Sequence, residues 1–196
     1  ARPLRTILAQ PAARVAILGA AVGAAVMTMI ITATPLAMLG CGLPGTDVTL
    51  VIEWHVVGMF APSFATGSLI RRYGAPRIMQ VGFVLLLAHV AVALSGTELP
   101  QFFSALVFLG VGWNFAFVGA TALLTETYRP GEQLRVQAAN EFVVFGLVAI
   151  AVLSAGWLYS THGWVALNLA VVPFLVLALA AVLRIHRRPA LGSTPG

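Results

Sequence analysis

Six long apolar runs, separated by short polar connectors, constrain this chain more than any other feature of its sequence. A helix needs about 20 mostly apolar residues to cross the hydrocarbon core of a bilayer, and the runs have roughly that length. Because they are continuously apolar instead of alternating over ten-residue pieces, they predict transmembrane helices and not barrel strands. The runs occupy residues 15–39, 48–70, 78–94, 102–124, 136–158 and 164–183.

The composition supports lipid as the solvent. Of 196 residues, 60% are apolar and 9% are charged, whereas a soluble domain averages roughly 25% charged residues. The expected fold class is therefore an all-α integral membrane protein with six transmembrane helices. We expect a six-helix bundle over residues 15–183, a cytoplasmic segment or linker at residues 1–14, and a cytoplasmic tail at residues 184–196.

The arginines predict the orientation. All eleven basic residues are arginine, and they occupy only the two termini, the second-to-third loop and the fourth-to-fifth loop. The positive-inside rule places these four segments in the cytoplasm, and a bacterial inner (plasma) membrane is the expected location. The arginines form no stripe on one face of a domain, so no nucleic-acid partner is expected. They are Arg2, Arg5, Arg14, Arg71, Arg72, Arg77, Arg129, Arg135, Arg184, Arg187 and Arg188.

Polar residues inside an apolar run are costly in a bilayer, so they mark candidate functional positions. Glu141 is the foremost candidate, because Gln137, Asn140 and Glu141 are spaced to share one helix face. Such a carboxylate would face a water-filled pathway and bind a proton or a cationic group. The alternative is a glutamate near the membrane interface, paired with Arg135 or with a neighbouring helix.

Two further pairs carry a functional and a structural interpretation each. Glu53 and His55 predict an outer gate or proton relay, or else an interfacial glutamate beside an aromatic belt residue. Trp113 and Asn114 predict the wall of a substrate cavity. The alternative is that Asn114 hydrogen-bonds across a close helix contact.

The first run offers Thr28 and Thr32, followed by Pro35, which would bend the helix and free backbone carbonyls near its outer end. This pattern fits both a gating helix and an ordinary membrane helix. His89 lies in the middle of the third run, and we interpret it mainly as a structural residue bonded to a neighbouring backbone or hydroxyl group.

Motifs for catalysis and metal binding are missing from the sequence. There is no Gly-x-Ser-Gly, no Walker phosphate loop, no His-Glu-x-x-His and no zinc spacing of Cys and His. The single cysteine, Cys41, has no internal disulfide partner. We therefore expect neither an enzyme nor a cofactor.

Two of the arginine-bearing loops carry specific motifs. The second-to-third loop holds Gly67, Arg72, Gly74 and Arg77 in order, and the fourth-to-fifth loop holds Glu126, Pro130 and Arg135. These motifs resemble those of the major facilitator superfamily. The second-to-third loop is similar to the family's signature loop, although an arginine replaces its aspartate. The fourth-to-fifth loop is similar to the family's Glu…Pro…Arg loop, which packs against the signature loop. Arg71 is the residue that stands in place of the family's aspartate.

The resemblance implies the C-terminal half of such a transporter, because the signature loop is commonly degenerate in that half. Each half would be an inverted 3+3 repeat, and two halves would rock around a central cavity. The implied partners are the N-terminal six-helix half, the lipid bilayer and a small-molecule substrate. The function would be secondary active transport of a small solute by alternating access, with proton coupling left open. The alternative is a non-transporting membrane scaffold or assembly subunit.

The same resemblance implies a cytoplasmic gate in which the two loops pack together. Because Arg71 replaces the usual aspartate, Glu126 is expected to be the main acidic partner there, in contact with Arg72 or Arg135. An exposed pair of this kind would bias the gate without contributing much to the stability of the fold.

Overall fold

The structure, a computed structural model, describes residues 2–186 and is built from helices. The predicted tail beyond residue 186, with Arg187 and Arg188, lies outside the described residues. The bounds are α1 Leu4–Leu8, α2 Pro11–Gly40, α3 Gly45–Phe60, α4 Ser63–Tyr73, α5 Ala75–Ala93, α6 Leu99–Thr125 and α7 Gln133–His186.

Apart from the short α1, these helices make six membrane-length segments, because α3 and α4 together form one segment and α7 turns back to form two. Helices α3 and α4 together form one segment of 29 residues, Gly45–Tyr73. Helix α7 has 54 residues, which would measure about 80 Å if straight. It reverses at Gly163, where φ is 79° and ψ is −176°, a conformation that glycine adopts without a Cβ clash.

The two halves of α7 form a hairpin. Leu147 and Ala151 from the first half and Val171 and Phe174 from the second line one cavity beside α2. The two halves therefore run side by side, and the predicted six-crossing, all-helical half-bundle is confirmed.

The second crossing is interrupted at Pro62, which has no N–H to donate to the preceding turn. Asn114 of α6 bridges the interruption: its Nδ2 donates to the Met59 carbonyl and to Ser63 Oγ, each at 2.7 Å. Its Oδ1 accepts the Thr66 hydroxyl at 2.7 Å. The predicted span over residues 48–70 is present as the segment Gly45–Tyr73, and the interruption at residues 61–62 is a detail that the apolar run did not indicate.

Helix α6 lies at the centre, and glycines let its neighbours approach closely. A Cβ on Gly82 of α5 would lie 2.8 Å from the Gly112 carbonyl oxygen of α6. A Cβ on Gly110 would lie 2.5 Å from the His55 carbonyl oxygen of α3. Helix α6 packs on α2, α3 and α5, whereas α7 packs on α2 and α5. Helices α3 and α7 therefore lie on opposite flanks of the bundle.

Candidate functional site

An aromatic pair occupies the middle of α6. Trp113 and Phe117 stack with their ring centroids 5.1 Å apart and their planes 16° apart. Gly110 packs on α3 and Ala116 packs on α2. Trp113 is three residues from each, so at 100° per residue it lies between these two contacts. Both rings are half-buried, and Trp113 lies on the side of α6 between its contacts with α2 and α3.

The predicted partner of Trp113 has a different environment. Asn114 is 1% exposed, and its amide is fully engaged in the bridge across the α3–α4 interruption. This placement favours the packing interpretation of Asn114. Of Trp113 and Asn114, only Trp113 has a side chain that is free to line a cavity.

The threonines of α2 lie away from the α6 contact. The Thr28 hydroxyl donates to the Ala24 carbonyl at 2.8 Å, and the Thr32 hydroxyl donates to the Thr28 carbonyl at 2.7 Å. Thr28 is half-buried and Thr32 is exposed. Their single donors are used within the helix, which leaves the oxygen lone pairs as acceptors for a ligand or water.

The polar residues of α7 are only partly brought together. Asn140 is buried, and its Nδ2 lies 3.4 Å from Glu141 Oε1. Gln137 donates to the Tyr128 hydroxyl at 3.0 Å. Glu141 is exposed, and within residues 2–186 it forms no ion pair with Arg135.

The position of Glu141 on α7 distinguishes it from the residues that line the hairpin cavity. Ile150 lines that cavity, and nine residues at 100° each place Glu141 on the opposite side of the helix. Glu141 therefore faces away from the second half of α7.

Glu53 and His55 lie on different faces of α3 and do not contact each other in this structure. Residues two apart on a helix point about 200° apart, and the structure follows that rule. His55 is buried, with Nδ1 2.9 Å from the Leu106 carbonyl oxygen, whereas Glu53 is exposed. Trp54 packs on Phe103 with ring centroids 5.9 Å apart.

His89 has the structural environment that the sequence suggested. Its Nδ1 lies 2.8 Å from the Ala105 carbonyl oxygen, and its Nε2 lies 3.1 Å from Asn168 Oδ1. Asn168 in turn donates to the Trp164 carbonyl at 2.9 Å. This chain of contacts ties α5, α6 and the second half of α7 together.

The signature loop at the arginine-bearing end is compact and exposed. Gly74 has a φ of 86°, which favours glycine and permits the direct turn from α4 into α5. Arg71 donates to Ser68 Oγ at 3.0 Å, and the Arg72 guanidinium lies 5.2 Å from the Tyr73 ring centroid. Gly67 and Arg77 are also exposed.

Glu126 is not the acidic partner in this structure. It is exposed, and the ion pairs of residues 2–186 do not include it. The buried carboxylate of the α6–α7 loop is Glu132, which is 2% exposed. Glu126 occupies the glutamate position of the family motif, but the motif does not show which of the two glutamates is buried.

Glu132 holds the N-terminal segment against the α6–α7 loop. Its carboxylate accepts the Arg2 Nε at 3.1 Å, the Arg2 Nη2 at 2.7 Å and the Arg2 backbone N–H at 2.9 Å. It also accepts the Arg129 backbone N–H at 2.9 Å, and Arg135 donates to the Arg2 carbonyl at 3.2 Å. We call the contact of Arg2 with Glu132 the N-terminal clasp. Hydrogen bonds from Arg2 and the backbone hold the pKa of Glu132 far below its usual range.

The fold and the candidate site together define a polytopic membrane protein. The sequence profile of the Major Facilitator Superfamily matches residues 16–196, and the chain belongs to this family. The chain is 42% identical over 182 residues to the riboflavin transporter RfnT of Brucella anthropi, which covers 93% of this chain and 46% of the relative.

Two relatives from Bacillus subtilis are also similar. The uncharacterized MFS-type transporter YdeG is 32% identical over 74% of this chain and 34% of its own length. The uncharacterized MFS-type transporter YddS is 29% identical over 83% of this chain and 38% of its own length. No solved structure matches the sequence significantly.

These relatives confirm two of the expectations from the sequence. The chain is an integral membrane protein of a transporter family, and it is not an enzyme. It spans between about a third and a half of the length of the relatives named above.

Proposed function

We propose that this chain is the C-terminal half of a secondary transporter that moves riboflavin, or a flavin very similar to it, by alternating access. The observation that carries this proposal is the 42% identity to the riboflavin transporter of Brucella anthropi over 93% of the chain. The half-buried aromatic pair in the middle of α6 supports it, since a flavin ring is planar and aromatic. The N-terminal six-helix half would complete the cavity.

Transport of labelled riboflavin by the full-length protein tests the proposal. In proteoliposomes we expect saturable riboflavin movement that excess unlabelled riboflavin abolishes and that excess thiamine, a vitamin without the flavin ring, leaves unchanged. If the purified, folded protein moves no riboflavin, the substrate assignment fails. If it also moves no other solute, the alternative of a non-transporting scaffold is favoured.

We further propose that the arginine-bearing end, with both termini, faces the cytoplasm. Cys41 is exposed in the turn between α2 and α3, at the opposite end. In a full-length protein with any other cysteines replaced by serine, we expect an impermeant maleimide to label Cys41 from outside intact cells. Cys41→Ser gives the background. Labelling only after the cytoplasmic side is opened would reverse the orientation.

We also propose that Glu141 couples transport to a proton. Glu141 is exposed on the side of α7 turned away from the hairpin cavity, so its carboxyl group is free to face a water-filled cavity shared with the other half. We expect Glu141→Gln to abolish the dependence of riboflavin accumulation on a pH gradient while the protein still inserts. Glu53→Gln, another exposed carboxylate in a crossing, is the matched control and should retain that dependence. Unchanged gradient dependence in Glu141→Gln would exclude this role.

A further inference from the structure

We propose that Trp113 and Phe117 form the stacking surface for the flavin ring, and we call this pair the aromatic platform. The inference rests on the proposed function, because it names the place on this chain where the ring of that substrate binds. The argument uses the geometry of the pair, its position in the bundle and the hydrogen bonding of its indole.

The geometry of the aromatic platform suits a planar ligand. The two rings are nearly parallel, at 16°, with centroids 5.1 Å apart. Parallel aromatic rings attract in offset stacks, so a further flat ring can extend the same stack. The other aromatic contacts of residues 2–186 are tilted or edge-on, with interplanar angles of 49° to 61°. Those pairs provide no comparable flat surface.

The platform lies at the depth that alternating access requires. Trp113 is near the middle of α6, which runs over Leu99–Thr125, so roughly 20 Å of helix separates it from either end. A site in the middle of the membrane can be reached from each side in turn.

The indole N–H of Trp113 has no use within the described part of the chain. Trp113 Nε1 is buried and has no hydrogen-bond partner there. Trp164, by contrast, donates its Nε1–H to the Ala93 carbonyl at 3.2 Å, as a structural tryptophan in a membrane is expected to do. An uncommitted buried donor costs free energy unless an acceptor arrives from elsewhere. The carbonyl oxygens and the ribityl hydroxyls of a flavin are such acceptors.

Stacking on the face and donation from the edge of one indole are compatible, because the N–H lies in the ring plane. Since Nε1 is covered in this arrangement, the observed stack carries the assignment of the flavin ring, and a ligand oxygen reaches the N–H only after the indole turns. No hydrogen bond of the described residues opposes that rotation. The ring of the flavin is therefore assigned to the faces of the platform, and an oxygen of the ligand to the indole edge.

Binding measurements on the full-length transporter test the aromatic platform. Flavin fluorescence is quenched when the ring stacks on an indole, so titrations report affinity directly. Two ligands separate the contributions: riboflavin, and lumiflavin, which has the ring but no ribityl chain. We expect Trp113→Leu to weaken both ligands by roughly 5- to 100-fold, the range for losing one aromatic stacking partner. Trp113→Phe, which keeps a ring, should lose much less.

The matched control is Trp157→Leu. Trp157 is 63% exposed on the first half of α7, in a tilted contact with His162 at 5.7 Å, and its loss should change neither affinity. Thermal unfolding of each variant excludes misfolding, and Trp113→Phe supplies a second test if Trp113→Leu does not fold.

Two results would overturn the aromatic platform while leaving riboflavin transport established. One is wild-type affinity for both ligands in folded Trp113→Leu. The other is a loss confined to riboflavin, which would assign Trp113 to the ribityl chain and not to the ring. If the wild-type protein binds neither ligand, the proposed substrate itself fails, and the platform fails with it.

Discussion

Valine at Gly82 is expected to destabilise this bundle more than any other single substitution on α5. A Cβ at this position would lie 2.8 Å from the Gly112 carbonyl oxygen and closer still to the Ala116 backbone nitrogen. Both atoms belong to the backbone of α6, so relief requires the two helices to separate. Overpacking typically costs about 1–3 kcal/mol, and we expect Gly82→Val to reach or exceed the upper value.

A glycine of the same kind in an open position provides the control. Gly146 lies inside α7, and a Cβ there would meet nothing within 4 Å. Because glycine is a poor helix former, Gly146→Ala should be neutral or stabilising by up to about 1 kcal/mol. Thermal unfolding in detergent measures both variants. Equal melting temperatures for Gly82→Val and wild type would show that α5 and α6 are not as close as described.

The crossings could be predicted from the sequence because each is a property of composition over some 20 residues. The reversal at Gly163 was also predicted, since the runs 136–158 and 164–183 meet at a polar connector that ends there. The interruption at Pro62 was harder, because it depends on one residue within an apolar run. Pro62 indicates the interruption in the sequence, but the mean hydropathy of the run does not reveal it. The bridging role of Asn114 requires knowing that α6 crosses α3 at that height, which no local pattern contains.

Most of the residue types of the candidate site could be predicted from the sequence, whereas the contacts between those residues mostly could not. Helical periodicity alone should have separated Glu53 from His55, because residues two apart face different directions. The orientation of Trp113 could be inferred only after the contacts of Gly110 and Ala116 were known. The sequence thus identified Trp113 and most of the polar positions but not Phe117, whose stacking on Trp113 became evident only in the structure.

The sequence also did not show which of Glu126 and Glu132 is buried. Both lie in the α6–α7 loop, both carry the same charge, and only Glu126 fits the family motif. The structure buries Glu132 because Arg2 and two backbone N–H groups satisfy its carboxylate. Arg2 is 130 residues away in the chain, so the pairing could not be inferred from local sequence.

Glu132→Gln is expected to release the N-terminal segment from the α6–α7 loop. An amide has only one acceptor oxygen, so it cannot pair with the Arg2 guanidinium through two oxygens as the carboxylate does, and the charge attraction is lost. Ile7 of α1 is 1% exposed, so Ile7→Cys in a Cys41→Ser background reports the release by maleimide labelling. We expect labelling to be roughly 10-fold faster or more when a buried charged partner is removed.

Glu126→Gln is the matched control, because it makes the same chemical change at an exposed carboxylate in the same loop. It should leave the labelling rate unchanged. The response to pH has a definite sign, since the pKa of Glu132 is depressed. The contribution of the N-terminal clasp is fully present above the usual glutamate pKa and is lost only as the pH falls below it. The labelling rate, corrected for thiol ionisation, should therefore be constant over roughly pH 5 to 8.

A double-mutant cycle shows whether Arg2 and Glu132 act as one unit. Arg2→Gln alone leaves a buried carboxylate without its cation, which should release the segment at least as strongly as Glu132→Gln. The double variant removes both charges, so it should label no faster than the worse single variant. Arg5→Gln, an exposed arginine three residues further on, should show no coupling to Glu132→Gln. Strictly additive effects of Arg2→Gln and Glu132→Gln would show that the two side chains do not hold the segment together. Release by Glu126→Gln instead would return the acidic role to the residue that the family motif indicates.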